Sequence, residues 1–147
     1  MNRMEMSDAA TLITLLREEK RSSTLRTLLS GWDMLQADVP SRERVETALA
    51  ILVGSGLAEV DSSWGMRLTE QGGRLRRSVK GTQGMRTIPV AISDLLAKCE
   101  LSRATLNLPE SVFDPALNDY LESGRRRAGR RSRHRWWWPD PFRRPVQ

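Results

Sequence analysis

Apolar residues recur along the first half of the chain at the three-and-four spacing that gives a helix one buried face. Between Asp8 and Lys20, Leu12, Leu15, Leu16 and Glu19 share a face that Ala9 extends, with Asp8 placed to cap the N-terminus. A second helix is predicted after Ser22 or Ser23, carrying Leu25, Leu28, Leu29, Trp32 and Leu35, and weakened locally by Gly31. Asp38-Val39-Pro40 ends it, because proline lacks an amide donor and restricts the residue before it. Ser41 can cap a third helix with Glu43 in its first turn, and there Val45, Ala48, Leu49 and Leu52 form the buried side. Gly54 and Gly56 mark its end.

Two short strands are expected next, Leu57 to Val60 and Met66 to Leu68, around the turn-rich stretch Asp61-Ser62-Ser63-Trp64-Gly65. Thr69 and Glu70 then open a short helix containing Leu75. Beyond Ser78 the chain becomes polar and glycine-containing from Lys80 to Arg86, as a linker or exposed loop would be. Ile92, Leu95, Leu96 and Cys99 share one further helical face, with Cys99 read as a small buried apolar residue. Asp114-Pro115 signals a last short helix with Leu117, Tyr120 and Leu121 behind it and Gly124 at its end. These two helices are too small to hold a core alone, so they must dock on the first unit or on a second copy.

The stretch Leu52-Val53-Gly54-Ser55-Gly56-Leu57-Ala58-Glu59-Val60 and the following Met66-Arg67-Leu68-Thr69-Glu70-Gln71-Gly72-Gly73-Arg74-Leu75 resemble the winged-helix domains of bacterial transcriptional regulators. The first looks like a recognition helix entering a wing, and the second like the strand-to-helix exit from it. The resemblance covers roughly residues 8 to 80. It implies a mainly α fold with a small β-hairpin, DNA as partner and pairing into a homodimer. Together with the pattern it divides the chain into a winged-helix domain at 1–88, a helical segment at 89–123 and a tail at 124–147.

Charge sharpens that division. Residues 1–123 hold 15 Lys and Arg against 17 Asp and Glu, a net of −2, whereas residues 124–147 hold nine Arg against the single Asp140, a net of +8. A basic appendage of this kind meets a polyanion, nucleic acid before anionic membrane. Its arginines match phosphate geometry and its Trp136-Trp137-Trp138 run can stack on unpaired bases or lie at a bilayer interface. Like-charge repulsion and three nearby prolines predict that the tail is disordered when free.

The same composition excludes several classes. One cysteine and one histidine assemble neither a disulfide framework nor a Cys/His zinc site. No phosphate-binding glycine loop is present, and carboxylates such as Glu18 and Glu19 sit beside basic residues as on a solvated helix face, so neither an enzyme nor a cofactor is expected. No apolar stretch approaches the ~20 residues of a membrane helix and no signal peptide opens the chain, which places it in the cytoplasm. No small-molecule ligand is evident.

If the third helix enters a major groove, its outward face is Glu43, Thr47, Ala50 and Gly54, flanked by Arg42, Arg44 and Glu46. Arg42, Arg44 and Thr47 would then read bases and phosphates, with Arg67, Arg74, Arg76 and Arg77 holding phosphates if they face the same way. The two glutamates repel that backbone, the hairpin loop carries no basic residue, and a face of small residues equally suits close packing by another element. The alternative is therefore a protein-interaction module that uses Ala50 and Trp64, in which only the tail, through Arg125, Arg126, Arg127, Arg130, Arg131, Arg133 and Arg135, contacts nucleic acid or another anionic surface. The reading that takes precedence over both for Trp64 folds it back onto its own hairpin.

Overall fold

The computed structural model describes residues 2–18, 22–80 and 84–137, with side chains described as far as Arg125. In order it contains α1 (Arg3–Leu15), α2 (Leu25–Gln36), α3 (Arg42–Gly54), β1 (Ala58–Val60), β2 (Met66–Leu68), α4 (Glu70–Arg77), a single 3-10 turn (Met85–Thr87), α5 (Ile88–Leu96) and α6 (Glu110–Trp137). The described residues are thus mainly helical with one small antiparallel sheet, in which Ala58, Glu59 and Val60 oppose Leu68, Arg67 and Met66.

The first helix begins earlier than its apolar spacing indicates. Asn2 caps it by accepting from the Glu5 amide at 2.8 Å, and Asp8, the expected cap, lies buried in its second turn. The stretch from Asp8 to Thr14 is buried on every side because α1 packs against α3 and α5 together. Its two threonines tolerate this by donating to backbone carbonyls one turn back, Thr11 to Ser7 at 3.0 Å and Thr14 to Ala10 at 2.8 Å.

Thr24, one residue past the expected serines, caps α2, while Ser41 and Thr69 cap α3 and α4 as their sequences predict. The five predicted apolar residues of α2 are all buried. Between α1 and α2 the chain runs beside β2, where Ser23 and Met66 exchange both backbone hydrogen bonds at 2.7 and 2.9 Å. The hairpin is therefore backed by a third extended segment. Gly72 lets α4 approach β1 closely, since a Cβ there would lie 2.0 Å from the Leu57 carbonyl oxygen.

The C-terminal third docks on the chain's own helices. Ile88, Ile92 and Leu96 of α5, then Leu108 and Phe113, join one core with Leu12, Ile13, Trp32, Leu49 and Met66. That intramolecular cover removes one ground for a homodimer, the need of these short helices for a second copy, and leaves the other, the resemblance, untouched. Cys99 lies beyond the end of α5 and is exposed, contrary to its expected burial, because the helix stops before the apolar stripe reaches it.

Asp114-Pro115 does not open the last helix either. The helix starts at Glu110, after Pro109 has accepted from the amides of Val112 and Phe113, and Pro115 sits inside it. Its first half is fastened to α2 by Tyr120 donating to Asp33 at 2.5 Å and by Arg26 reaching Asp119 at 2.9 Å and Ser123 at 2.6 Å. The backbone then stays helical past Gly124 to Trp137, where a disordered tail was expected. Arginine is a good helix former and each like-charge pair one turn apart costs only ~0.2–0.5 kcal/mol, so a docked helix can propagate through such a run. Residues 138–147 of the expected tail lie outside the described residues.

Candidate nucleic-acid interface

The outward side of α3 is where a groove-reading surface was expected, and a segment of the same chain without regular secondary structure lies along one edge of it. Ala104 donates its amide to the Ala50 carbonyl at 2.9 Å, and Ser102 and Ser55 exchange hydrogen bonds at 3.0 and 3.2 Å. Farther along, the Leu108 amide donates to Glu46 at 2.7 Å while Arg42 donates to the Leu108 carbonyl at 3.0 Å. The strap from Leu101 to Pro109 thus follows Gly54, Ala50, Glu46 and Arg42, one residue per helical turn. Its approach depends on small side chains. A Cβ at Gly54 would stand 2.4 Å from the Ala104 nitrogen and 2.5 Å from the Ser102 oxygen.

Ala50, offered from sequence as an interface residue, is accordingly buried, and Thr47 is half-buried. Glu43 remains exposed on this helix. Trp64 is half-buried and packs against the core, so its ring is not wholly free at the loop. Its backbone takes φ +62°, a left-handed conformation unusual for a bulky residue. The turn is held by Asp61, whose carboxylate accepts from the amides of Ser63 and Gly65, both at 2.8 Å. These bonds, the Gly65 amide first, hold the Asp61 carboxyl below its ordinary range.

Arginines that sequence assigned to DNA have carboxylate partners inside the protein. Arg44 makes a two-pronged contact with buried Asp8 at 2.9 and 3.1 Å, reaches Asp38 at 3.0 Å, and lies 5.6 Å from the centre of the Trp32 ring. Hydrogen bonding to Asp8, then to Asp38, raises its pKa against the opposing effect of burial. Arg42 pairs with Glu46 at 3.0 Å, Arg67 with Glu59 across the hairpin at 2.8 Å, and Arg74 with Glu70 one helical turn away at 2.7 Å. Arg77 pairs with Glu18. Arg76 alone of the seven proposed contacts is neither paired nor a threonine, taking no ion pair among the described residues.

Nor are the two groups of cations brought together. Arg44 is tied to Asp8 in the second turn of α1, whereas Arg77 is tied to Glu18 beyond that helix's C-terminal end, and α4 packs on α1, α5 and β2. The pairings that sequence reasoning missed join residues far apart in the chain, such as Arg103 with Glu5 at 2.6 Å. Complementary charge was legible there, but partnership was not.

Of the tail arginines, Arg125 is exposed, and Arg126, Arg127, Arg130, Arg131, Arg133 and Arg135 lie on the helical backbone of the second half of α6. Among the described residues no group of three His, Cys, Asp or Glu is placed to hold a metal ion, and no helix is long and apolar enough to cross a membrane. No protein family matches the sequence, and comparison with curated proteins and with solved structures finds no relative.

Proposed function

We propose that the chain is a winged-helix-type interaction module whose arginine-rich C-terminal segment contacts a polyanion, nucleic acid in the first instance. The order α1, α2, α3, β1, β2, α4, with Ser23 pairing beside β2, supports the winged-helix reading. The observation that carries the functional half is the strap. It occupies the Arg42, Glu46, Ala50 and Gly54 edge of the side of α3 that would have to enter a groove, leaving Glu43 exposed and Thr47 half-buried, and the arginines flanking that side are spent on Asp8, Asp38 and Glu46. Residues 124–147, at net +8, hold the charge that the body has neutralised.

Duplex binding by the full chain tests this at several salt concentrations. Replacing Arg125, Arg126, Arg127, Arg130, Arg131, Arg133 and Arg135 together by Gln should weaken binding at least about a hundred-fold at low salt and flatten its salt dependence, since each phosphate contact contributes a slope of roughly −0.9. Arg67→Glu and Arg76→Glu, at positions that do not carry the fold, should leave affinity nearly unchanged. The opposite pattern would restore the alternative, a transcriptional regulator in which the strap leaves α3 and Arg42, Arg44 and Thr47 read the major groove.

A further inference from the structure

If the body serves partners, the surface it uses is not the one sequence suggested, because Ala50 is buried and Trp64 is half-covered. A different surface has the required chemistry. Where α4 ends and α5 begins, a cleft of about 430 Å³ is lined by Val79, Lys80, Arg86, Thr87, Val90, Ala91 and Asp94. That volume falls in the ~300–1,000 Å³ range of ligand-holding clefts. Val90, Ala91 and Asp94 share one stripe of α5, extended at its N-cap by Thr87 and lying opposite the stripe that Ile88, Ile92 and Leu96 bury. Val90 is 64% exposed, and Met85, next in sequence to Arg86, is 55% exposed.

Charge decides what this cleft would take. Lys80 and Arg86 have no ion pair among the described residues, unlike Arg26, Arg42, Arg44, Arg67, Arg74, Arg77 and Arg103. They stand on a lining whose apolar part is Val79, Val90 and Ala91, with Asp94 as its one carboxylate. A duplex would bring phosphates toward Asp94 and leave Val90 in water. A peptide with a carboxylate beside a bulky apolar side chain satisfies both halves, and Asp94 then fixes its direction by accepting from an amide or a basic group.

We propose that this cleft docks such an acidic-apolar segment of a partner protein, which rests on the interaction-module reading and names the surface it would use. The test is titration of the isotope-labelled full chain, carrying the seven tail Arg→Gln changes so that acidic peptides are not captured there. The probe is a synthetic peptide of repeated Leu-Glu pairs, with Leu-Gln and Ser-Glu peptides of equal length as controls. Amide shifts should saturate and map to Val79, Lys80 and the Arg86 to Asp94 stretch, with the Leu-Glu peptide bound at least about ten-fold more tightly than either control. Val90→Asp and the double change Lys80→Glu with Arg86→Glu should each weaken it about ten-fold or more, and Val90→Ser serves if the aspartate variant does not fold. Absent or unsaturable shifts, shifts mapping elsewhere, or affinity unchanged in the variants would overturn the proposal. So would self-association abolished by the Val90 change, which would assign the cleft to a second copy. Because seven of the nine tail arginines are replaced throughout, lowering the tail's net charge from +8 to +1, a negative result here leaves polyanion binding by the tail standing, and loss of duplex binding leaves the cleft standing.

Discussion

Two regions of this protein are rich in arginine and use it in opposite ways. Around α3 each guanidinium meets a carboxylate of the fold: Arg44 meets Asp8 and Asp38, Arg42 meets Glu46, and Arg103 meets Glu5. In the second half of α6 no acidic residue occurs between Glu122 and Asp140, while seven arginines do. The first set is structural because its charges are answered by carboxylates of the fold, whereas the second set has no acidic residue within its own stretch of sequence. A count of basic residues along a helix therefore predicts a nucleic-acid surface only after the carboxylates within reach have been subtracted.

The largest expected effect on the body comes from Arg44. Arg44→Ala would leave the carboxylate of Asp8, 8% exposed at its side chain, without its partner. Losing one member of a fully buried pair costs ~3–5 kcal/mol, and because a third of the Arg44 side chain stays in water we expect about 2–3 kcal/mol. Urea unfolding measures it, and a double-mutant cycle with Asp8→Ala should recover most of that energy as coupling. Duplex affinity of the folded variant should not change. A fall comparable to that of the tail variant would erase the distinction between the two regions.

A smaller effect is expected at Gly54, where the atoms that a Cβ would meet belong to the backbone of the strap and cannot swing aside. Gly54→Ala should cost about 1–3 kcal/mol by overpacking. Hydrogen exchange at the Ala104 amide, bonded to Ala50, should accelerate as the strap lifts. Combined with the tail Arg→Gln changes, the variant also probes what lies beneath. Duplex binding gained only when the strap is loosened would show that the covered side of α3 retains a groove-reading capacity.

Much of the body was legible from local signals. Period suffices for α2 and the hairpin, and period with caps for α3 and α4, since Ser41 and Thr69 act through bonds to residues three positions away. What was not legible depends on distant partners. Asp8 has the composition of a cap, and only the arrival of Arg44 from 36 residues away makes its burial tolerable. The small face of α3 was noticed, but whether another helix, DNA or the chain itself would cover it required knowing where residues 101–109 run. One signal was available there: Ala104, Leu106 and Leu108 are the more covered residues and alternate with exposed Thr105 and Asn107, the period of an extended segment against a surface. Pro115 misled because proline in the sixth position of a helix is uncommon, and the packing of Phe113 and Tyr120 outweighs the hydrogen bond it removes.

The smallest effect lies in the hairpin, whose loop carries no basic residue and whose turn is organised by an acidic one. Asp61 has its pKa lowered by the Gly65 and Ser63 amides. A carboxyl whose folded pKa lies below its unfolded value, about 3.9 for aspartate, contributes stability that is present above that value and is lost as pH falls through the folded pKa. Asp61→Asn keeps an oxygen that can accept from both amides, so the turn should persist, but its contribution no longer titrates. The variant should accordingly be somewhat less stable than the parent near pH 6, and the gap should close as pH is lowered below about 4. Urea midpoints of the two proteins at pH 6 and pH 3 make the comparison, with every other carboxyl titrating alike in both. A gap that widens in acid would mean that the charge of Asp61 opposes the fold. The body's carboxylates would then not all be serving its structure, and the contrast with the arginine-rich second half of α6 would have to be redrawn around the hairpin.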